Sequence, residues 1–518
     1  MPRQNSSSAA PALTTAQRLA SVVKSARDIM RKDKGLNGDL DRLPMLTWVM
    51  FLKFLDDLER GREEEASISG RRYSPAIIAP YRWRDWASDE GGVTGDALLA
   101  FISQDEATRP DGSRGEGLLR YLRGLEGANG DDRRDVIATV FKGVTNRMVS
   151  GYLLRDVINK VNGIHFTSSE EMHTLGALYE TMLREMRDAA GDSGEFYTPR
   201  PLVRIIVEVM NPQLGEIVLD PACGTGGFLV EAFSHLEKQI ETVQDRDSLQ
   251  GGTIRGNEAK PLPYMLVQMN LLLHGVESPR IDPGNSLAIR VTEIGDRDRV
   301  DVILTNPPFG GEEERGIQGN FPADKQTSET ALLFLQLIMR KLKRTGHGSE
   351  HGGRAAVVVP NGTLFGDGVA ARIKEELLTD FNLHTVLRMP AGVFAPYTGI
   401  QTNVLFFDRT APTQAVWFYE QPLPEERKNY TKTQPLQYAE FEPLLTWWQH
   451  REENGHAWRV PASDILANGC NLDLRNPRGT PEYEHLRPEE LVDDLLKKER
   501  QITEILGEIR QLIANSRG

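Results

Sequence analysis

Cysteine is nearly absent from this chain of 518 residues, since only Cys223 and Cys470 occur, far apart and without metal-ligand spacing. Two isolated cysteines exclude a disulfide framework and indicate a reducing, cytoplasmic setting. Long apolar runs are also missing. The most apolar segment, MLTWVMFLKFL at 45–55, is shorter than the about 20 residues that a membrane span needs. The first residues lack the apolar core of a signal peptide and predict a disordered tail over 1–14.

An excess of positive charge is missing as well, because 74 acidic residues outnumber 61 basic ones and the net charge is -13. Proteins that hold DNA alone usually present a basic face, since neutralising phosphates drives sequence-independent affinity. The acidic total therefore argues against autonomous DNA binding. It indicates that any function on nucleic acid depends on a partner.

The pattern of apolar residues divides the chain into parts of different character. Helical periodicity dominates the first third, whereas short β-branched strands alternate with amphipathic helices in the middle. Near the end, Leu491, Leu495, Ile502 and Ile505 follow a coiled-coil-like spacing, which favours packing on a partner helix and also fits packing back on the same chain. The predicted parts are the tail over 1–14, an all-helical domain over 15–166, an α/β domain over 168–410, an extension over 411–484 and an amphipathic docking helix over 485–518.

The middle part predicts an α/β fold with a mainly parallel sheet covered on both faces, because its strands are continuous apolar runs separated by helices. A clear helix lies among them, at 331–343. The predicted strands are 216–220, 300–305, 355–360, 383–389 and 403–407.

A glycine-rich turn, DPACGTGG, follows the first of these strands and opens an apolar helix. Glycines in such a turn let the backbone approach a ligand closely. The turn lacks the Lys-Ser/Thr of a phosphate-binding loop, and Asp220 before it would repel a pyrophosphate. A carboxylate suits a cationic ligand instead, and S-adenosylmethionine carries an amino group and a sulfonium.

Further polar residues follow at the ends of later strands. Glu258 is placed to accept hydrogen bonds from ribose hydroxyls. Asp282, Asn285 and Ser286 in IDPGNSL are candidates for contacts with the adenine of the cofactor, although an ordinary turn accounts for this segment nearly as well.

The segment DVILTNPPFGG places Asn306, Pro307, Pro308 and Phe309 at the end of a strand 86 residues after Asp220. The Asn306 oxygen and the Pro307 carbonyl are two acceptors for the hydrogens of an amine, and Phe309 offers a face on which a base can stack. An exocyclic adenine amine is a poor nucleophile because its lone pair is delocalised into the ring. Two acceptors that hold the hydrogens of the amine would free this lone pair. Residues 310–330 form a long polar segment, hypothesised to close over a flipped base.

NPPF together with DPACGTGGF resembles the amino-group DNA methyltransferases, in particular the modification (HsdM) subunit of type I restriction-modification systems. GEFYTPR at 194–200 and MPAGVFAPYTGIQTNVLFF at 389–407 extend the resemblance. It implies a Rossmann-like methyltransferase domain over 168–410 that transfers a methyl group from S-adenosylmethionine to adenine N6 in duplex DNA.

The resemblance also implies roles for individual residues. The catalytic element is Asn306, Pro307, Pro308 and Phe309. The residues expected to bind the cofactor are Glu195, Phe196, Tyr197, Thr198, Asp220, Pro221, Gly224, Thr225, Gly226, Gly227, Glu258, Asn285 and Ser286. No metal is expected to take part.

By the same resemblance, the expected partners are a specificity (HsdS) subunit that reads the sequence, a restriction (HsdR) subunit and a second copy of this chain. The alternatives are a methyltransferase of another phage-defence system, a protein or RNA amide- or amine-nitrogen methyltransferase, and a non-enzymatic scaffold. The intact glycine turn and NPPF tip argue against the scaffold.

Overall fold

The computed structural model describes residues 15–127, 133–166, 169–190, 198–346, 352–395, 398–424 and 427–478. The predicted tail over 1–14 and docking helix over 485–518 lie outside these ranges. None of the helices within them is both long and apolar enough to cross a membrane.

Helices dominate the chain up to residue 190. They are α1 (Thr15–Met30), α2 (Asp39–Ile68), α3 (Trp83–Trp86), α4 (Gly95–Ser103), α5 (Leu118–Arg123), α6 (Arg133–Lys142), α7 (Gly151–Asn162) and α8 (Ser169–Ala190). In the described part of this region, the only strands are β1 (Glu106–Thr108) and β2 (Arg114–Glu116), which form a short hairpin. Its strands of three residues are too short to show alternation in the sequence.

A nine-stranded sheet forms the centre of the rest of the described chain. Its strands are β3 (Val218–Asp220), β4 (Ile254–Asn257), β5 (Arg280–Asp282), β6 (Val302–Thr305), β7 (Arg354–Pro360), β8 (Asn382–Arg388), β9 (Thr402–Asp408), β10 (Ala415–Glu420) and β11 (Ala457–Pro461). Their spatial order is β11-β10-β8-β9-β7-β6-β3-β4-β5. The α/β fold and the five strands predicted from the sequence are confirmed.

Most neighbouring strands are parallel, as their apolar sequences predicted. Parallel pairing runs without interruption from β7 through β6, β3 and β4 to β5. β9 and β11 run against their neighbours, so the connections 389–401 and 421–456 both begin and end at the carboxyl edge of the sheet.

The helices of this region are α9 (Arg200–Met210), α10 (Gly227–Glu237), α11 (Val243–Gln250), α12 (Pro261–Leu273), α13 (Arg315–Gln318), α14 (Thr330–Lys341), α15 (Val369–Asp380), α16 (Glu442–Gln449) and α17 (Ala462–Ala467). The predicted helix at 331–343 corresponds to α14.

The central strand β7 shows how both faces of the sheet are covered. Ala356 and Val358 pack into one apolar core, which is shared with the N-terminal helices. Ala355, Val357 and Val359 pack into a second core on the opposite face, because successive side chains of a strand alternate. This explains the run of uninterrupted apolar residues in the sequence.

Residues 411–484, predicted to be an extension, contribute β10 and β11 to the same sheet. In β10, the buried residues Val416 and Phe418 alternate with the half-buried Trp417. The partner strand β11 lies some 40 residues further along the chain, beyond α16. A pairing over this distance leaves no local signal in the sequence.

The strand order reverses between β3 and β6. The chain passes from β3 outward through β4 to β5, and then returns to place β6 on the other side of β3. Open α/β sheets bind ligands at the carboxyl edge beside such a reversal. This position is where the glycine turn and the NPPF segment meet.

Candidate active site

The glycine turn connects β3 to α10 at the carboxyl edge of the sheet. Gly224 and Gly226 have φ angles of 54° and 81°, in the left-handed region that glycine adopts at little cost. A Cβ atom on Gly226 would lie 2.6 Å from Cγ2 of Val267 in α12. The turn therefore needs glycine here for its backbone angles and for its close contact with α12.

Asp220 is buried beneath this turn. Its Oδ1 accepts hydrogen bonds from Thr305 Oγ1 at 2.6 Å and from the amide of Ala222 at 3.1 Å. Burial raises the pKa of Asp220 to about 7, although both hydrogen bonds act to lower it. The carboxyl group therefore changes its charge near neutral pH.

Glu258 follows β4 directly, and its carboxylate contacts the same turn. Oε2 accepts from the amide of Gly224 at 3.0 Å, and Oε1 accepts from the amide of Lys260 at 2.8 Å. Each carboxylate oxygen has further acceptor capacity. Glu258 thus fixes the turn and can still accept hydrogen bonds from a ligand.

Two side chains that were candidates for adenine contacts shape the segment after β5: Ser286 fastens it to the glycine turn, and Asn285 caps the short turn that follows. Ser286 Oγ donates to the Pro221 carbonyl at 2.7 Å, and Asn285 Oδ1 accepts from the amide of Leu287 at 2.9 Å. Asn285 and Ser286 line the cavity described below, whereas Asp282 does not.

Asn306 follows β6, and its two side-chain atoms differ in their surroundings. Nδ2 donates to Thr198 Oγ1 at 3.1 Å. Oδ1 is buried, and no hydrogen-bond donor reaches it from the described chain. Buried polar atoms are normally satisfied, so this unpaired acceptor at the cavity is available for a hydrogen bond from a ligand donor.

Phe309 is half-buried beside a second aromatic residue. Its ring meets that of Phe394 edge-on, with centroids 5.1 Å apart and planes at 88°. Phe394 is buried and belongs to the connection between β8 and β9. Its contact with Phe309 joins segments 85 residues apart and could not be predicted from either local motif.

One cavity of about 210 Å³ joins these elements. Its lining includes ten predicted site residues, namely Thr198, Asp220, Pro221, Gly224, Gly227, Glu258, Asn285, Ser286, Asn306 and Pro308. Four predicted site residues do not line the cavity. Thr225 and Gly226 lie in the glycine turn, and Pro307 and Phe309 follow β6. Glu195, Phe196 and Tyr197 lie outside the described residues.

Sequence reasoning missed four polar residues of the cavity wall, namely Asn257, Lys260, Glu313 and Thr330. Thr330 Oγ1 donates to the Gly311 carbonyl at 3.2 Å, so the segment 310–330 folds back on the start of α14. Phe321 anchors this segment in a small apolar core. Glu313 is one of three consecutive glutamates, which left no signal to distinguish it.

No group of three or more His, Cys, Asp or Glu side chains within the described ranges is arranged to hold a metal ion. Cys223 lies in the glycine turn, where burial, followed by the nearby carboxylates of Asp220 and Glu258, raises the pKa of its thiol well above its usual value. The thiol is therefore held in its neutral form and is a poor nucleophile.

Comparison with known families agrees with this arrangement. Residues 170–485, more than half of the chain, match the N-6 DNA methylase family. The chain belongs to the N-6 DNA methylase family. Residues 19–161 match the HsdM N-terminal domain. The methylase is thus a DNA methyltransferase with the helical N-terminal region of this group.

Individual relatives cover nearly the whole methylase. The type I restriction enzyme EcoEI methylase subunit of Escherichia coli is 45% identical over 96% of this chain and 97% of its own length. A modification subunit assigned to a type I restriction enzyme of Vibrio vulnificus YJ016 is 69% identical, with a TM-score of 0.82 over 92% of this chain and 100% of that chain.

A chain solved in work on assembly and conformational transition of a type I restriction-modification system is 40% identical to the methylase. The match has a TM-score of 0.79 and covers 98% of this chain and 100% of that chain. The predicted type I modification-subunit family and adenine-N6 methyltransferase function are confirmed by these relatives.

Proposed function

We propose that the methylase takes S-adenosylmethionine as its methyl donor and binds it in the cavity between the glycine turn and Asn306. The carboxylates of Asp220 and Glu258 suit the cationic and hydroxyl groups of this cofactor. The glycine turn has no lysine to bind a phosphate, which argues against a nucleotide phosphate at this position. When bound, the cofactor supplies an electrophilic methyl group.

Different residues of the cavity then bind different parts of the cofactor. Asp220 accepts a hydrogen bond from the cofactor's amino group, and Glu258 accepts from its ribose hydroxyls. Thr198, together with Glu195, Phe196 and Tyr197 before it, holds the methionine end. Asn285 and Ser286 shape the wall beside the adenine of the cofactor.

The target adenine enters from the NPPF side. The unpaired Oδ1 of Asn306 accepts one amine hydrogen and the Pro307 carbonyl accepts the other. Thr198 holds Asn306 Nδ2, so Oδ1 faces the amine without rotating. Phe309, supported edge-on by Phe394, stacks on the base. Because the amine lies inside a duplex, the adenine must first be flipped out, at a cost of a few kcal/mol.

The net charge of -13 supports a division of labour between subunits. We propose that a specificity subunit binds the recognition sequence and that two copies of the methylase flank it. Residues 485–518 provide part of this contact. A restriction subunit completes the complex, which acts in the cytoplasm.

The buried, unpaired Asn306 Oδ1 carries this proposal, and Asn306→Ala tests it. We expect methyl transfer to duplex DNA, with the specificity subunit present, to fall by about a hundredfold or more, by analogy with the loss of one preorganised polar group in other active sites. Cofactor affinity should persist, because Asn306 acts on the amine. The assay follows labelled methyl groups into adenine N6.

Asn382→Ala is the matched control, because Asn382 begins β8 at the opposite edge of the sheet and donates to Asp408 at 3.0 Å. It should retain full methyl transfer. Undiminished transfer by Asn306→Ala would refute the assigned role. Transfer to RNA or protein, but not to duplex DNA, would refute the substrate.

A further inference from the structure

Three polar side chains that the mechanism does not use converge behind the glycine turn. Glu180 lies on α8, Arg200 is the first residue of α9, and Asn270 lies on α12. None of the three lines the cavity. Their convergence therefore needs an explanation other than direct contact with a ligand.

The carboxylate of Glu180 is the centre of this group. Arg200 Nε donates to its Oε2 at 2.7 Å, while Arg200 Nη2 and Asn270 Nδ2 both donate to Oε1, the latter at 2.7 Å. The Glu180 side chain is 16% exposed and that of Arg200 is 24% exposed. A paired, partly buried guanidinium and carboxylate hold one geometry better than surface ion pairs do.

Both donors also reach the glycine turn itself. Arg200 Nη1 donates to the Gly227 carbonyl at 2.7 Å, and Asn270 Nδ2 donates to the Thr225 carbonyl at 2.8 Å. Because a peptide unit is planar, fixing these two carbonyls also fixes the direction of the following amides, those of Phe228 and Gly226. The backbone of the turn is thus tied from behind at two points.

Glycine at residue 227 leaves room for the guanidinium of Arg200 in this position. A Cβ atom on Gly227 would lie 2.9 Å from Nη1 of Arg200. Glycine at this position therefore serves the hydrogen bond from Arg200 as well as the start of α10.

Glu180 brings the N-terminal region into this arrangement. Its helix, α8, packs against α1 and α2 on one side and against α12 on the other. Gly176 allows the approach to α12, since a Cβ atom there would lie 3.1 Å from the ring of His274. The helical region is thus linked to the glycine turn through Glu180 and its two partners.

We propose that Glu180, Arg200 and Asn270 are positioning residues that preorganise the glycine turn for the cofactor, with the N-terminal helices contributing through Glu180. The inference rests on the proposed cofactor site. A turn already held in its bound conformation loses less entropy on binding, so the group increases cofactor affinity without touching the cofactor.

The test compares Glu180→Gln and Asn270→Leu with the wild-type chain at full length. We expect the Kd for S-adenosylmethionine, measured by calorimetry, to rise about tenfold in each variant. The rate of methyl transfer at saturating cofactor should change little, because the contacts of Asn306 remain. Amides of residues 224–228 should exchange faster with deuterium in the cofactor-free variants.

Glu216→Gln is the control for loss of an ion pair alone. Glu216 binds Arg354 through two hydrogen bonds of 2.6 and 2.8 Å at the opposite edge of the sheet. The Glu216→Gln variant should lower thermal stability as much as Glu180→Gln does. It should change neither the Kd for S-adenosylmethionine nor hydrogen exchange in the glycine turn.

The inference fails if Glu180→Gln, like Glu216→Gln, leaves both the Kd for S-adenosylmethionine and hydrogen exchange in residues 224–228 unchanged. A wild-type chain that did not bind S-adenosylmethionine would instead refute the proposed cofactor. In that case, hydrogen exchange in the cofactor-free turn would still decide whether the three residues hold it.

Discussion

The buried carboxyl group of Asp220 makes cofactor binding depend on pH in a predictable direction. Its pKa of about 7 lies well above the ordinary value because burial disfavours the charged form. The proposed partner of this group is a cation, which binds the ionised carboxylate. Cofactor binding should therefore release a proton below pH 7, and affinity should weaken as pH falls.

The size of the effect follows from the fraction of Asp220 that is ionised. At pH 8 the group is mostly ionised, whereas at pH 6 only about a tenth of it is, if the pKa is about 7. The Kd for S-adenosylmethionine should thus rise about tenfold between pH 8 and pH 6, or about 1.4 kcal/mol. Calorimetry in buffers of different ionisation enthalpy would report both the Kd and the released proton.

The matched variant is Asp220→Asn, which keeps the shape of the side chain and removes its titration. It should bind more weakly at pH 8 and lose this part of the pH dependence, leaving only the titration of the cofactor's own amino group. Folding stability should depend on pH in the direction opposite to cofactor affinity. The cofactor-free protein should gain stability from Asp220 as pH falls through 7, because the folded state binds the proton more tightly. Identical pH slopes for the two proteins would refute the reasoning.

Three further outcomes follow from the same elements. Thr305→Val removes a hydrogen bond that lowers the pKa of Asp220, so the midpoint of the pH dependence of cofactor binding should move above 7. Gly226→Ala should destabilise the chain by about 1–3 kcal/mol in denaturant unfolding, because of its φ of 81° and the clash with Val267, and adding Val267→Ala should restore part of this loss. Truncation after residue 484 should leave the Kd for the cofactor unchanged and weaken co-purification with the specificity subunit, because residues 485–518 provide part of that contact. Normal assembly would refute the docking assignment.

Much of the sheet could be predicted because its central strands are buried on both faces and appear as apolar runs such as AAVVVP. The glycine turn and NPPF were visible because each is a local sequence with unusual backbone requirements. Their meeting at one cavity followed from the rule that parallel strands present their carboxyl ends at the same edge.

The residues that escaped prediction act through contacts between distant segments. Glu180, Arg200 and Asn270 are ordinary polar residues of three helices, and only helix packing brings them to the turn. Phe394 supports Phe309 across a connection of the sheet, and Glu313 reaches the cavity because its segment folds back on α14. No periodicity or motif spacing in the sequence predicts these contacts.

The two strands that run against their neighbours, β9 and β11, have a consequence for how this enzyme can diversify. A parallel strand must be followed by a crossover that returns to the far edge, and such a crossover has to cover the sheet. The connections 389–401 and 421–456 need no such crossover, since each begins and ends at the reaction edge. The second still covers part of the sheet, because Trp447 of α16 contacts Trp417 and Tyr419 of β10. They contact one another where the Tyr430 amide donates to the Ala391 carbonyl at 3.1 Å. Insertions at exposed positions of these connections would therefore extend the reaction edge without interrupting a crossover, whereas insertions beside Phe394 or Trp447 would disturb the support of Phe309 or the packing on β10.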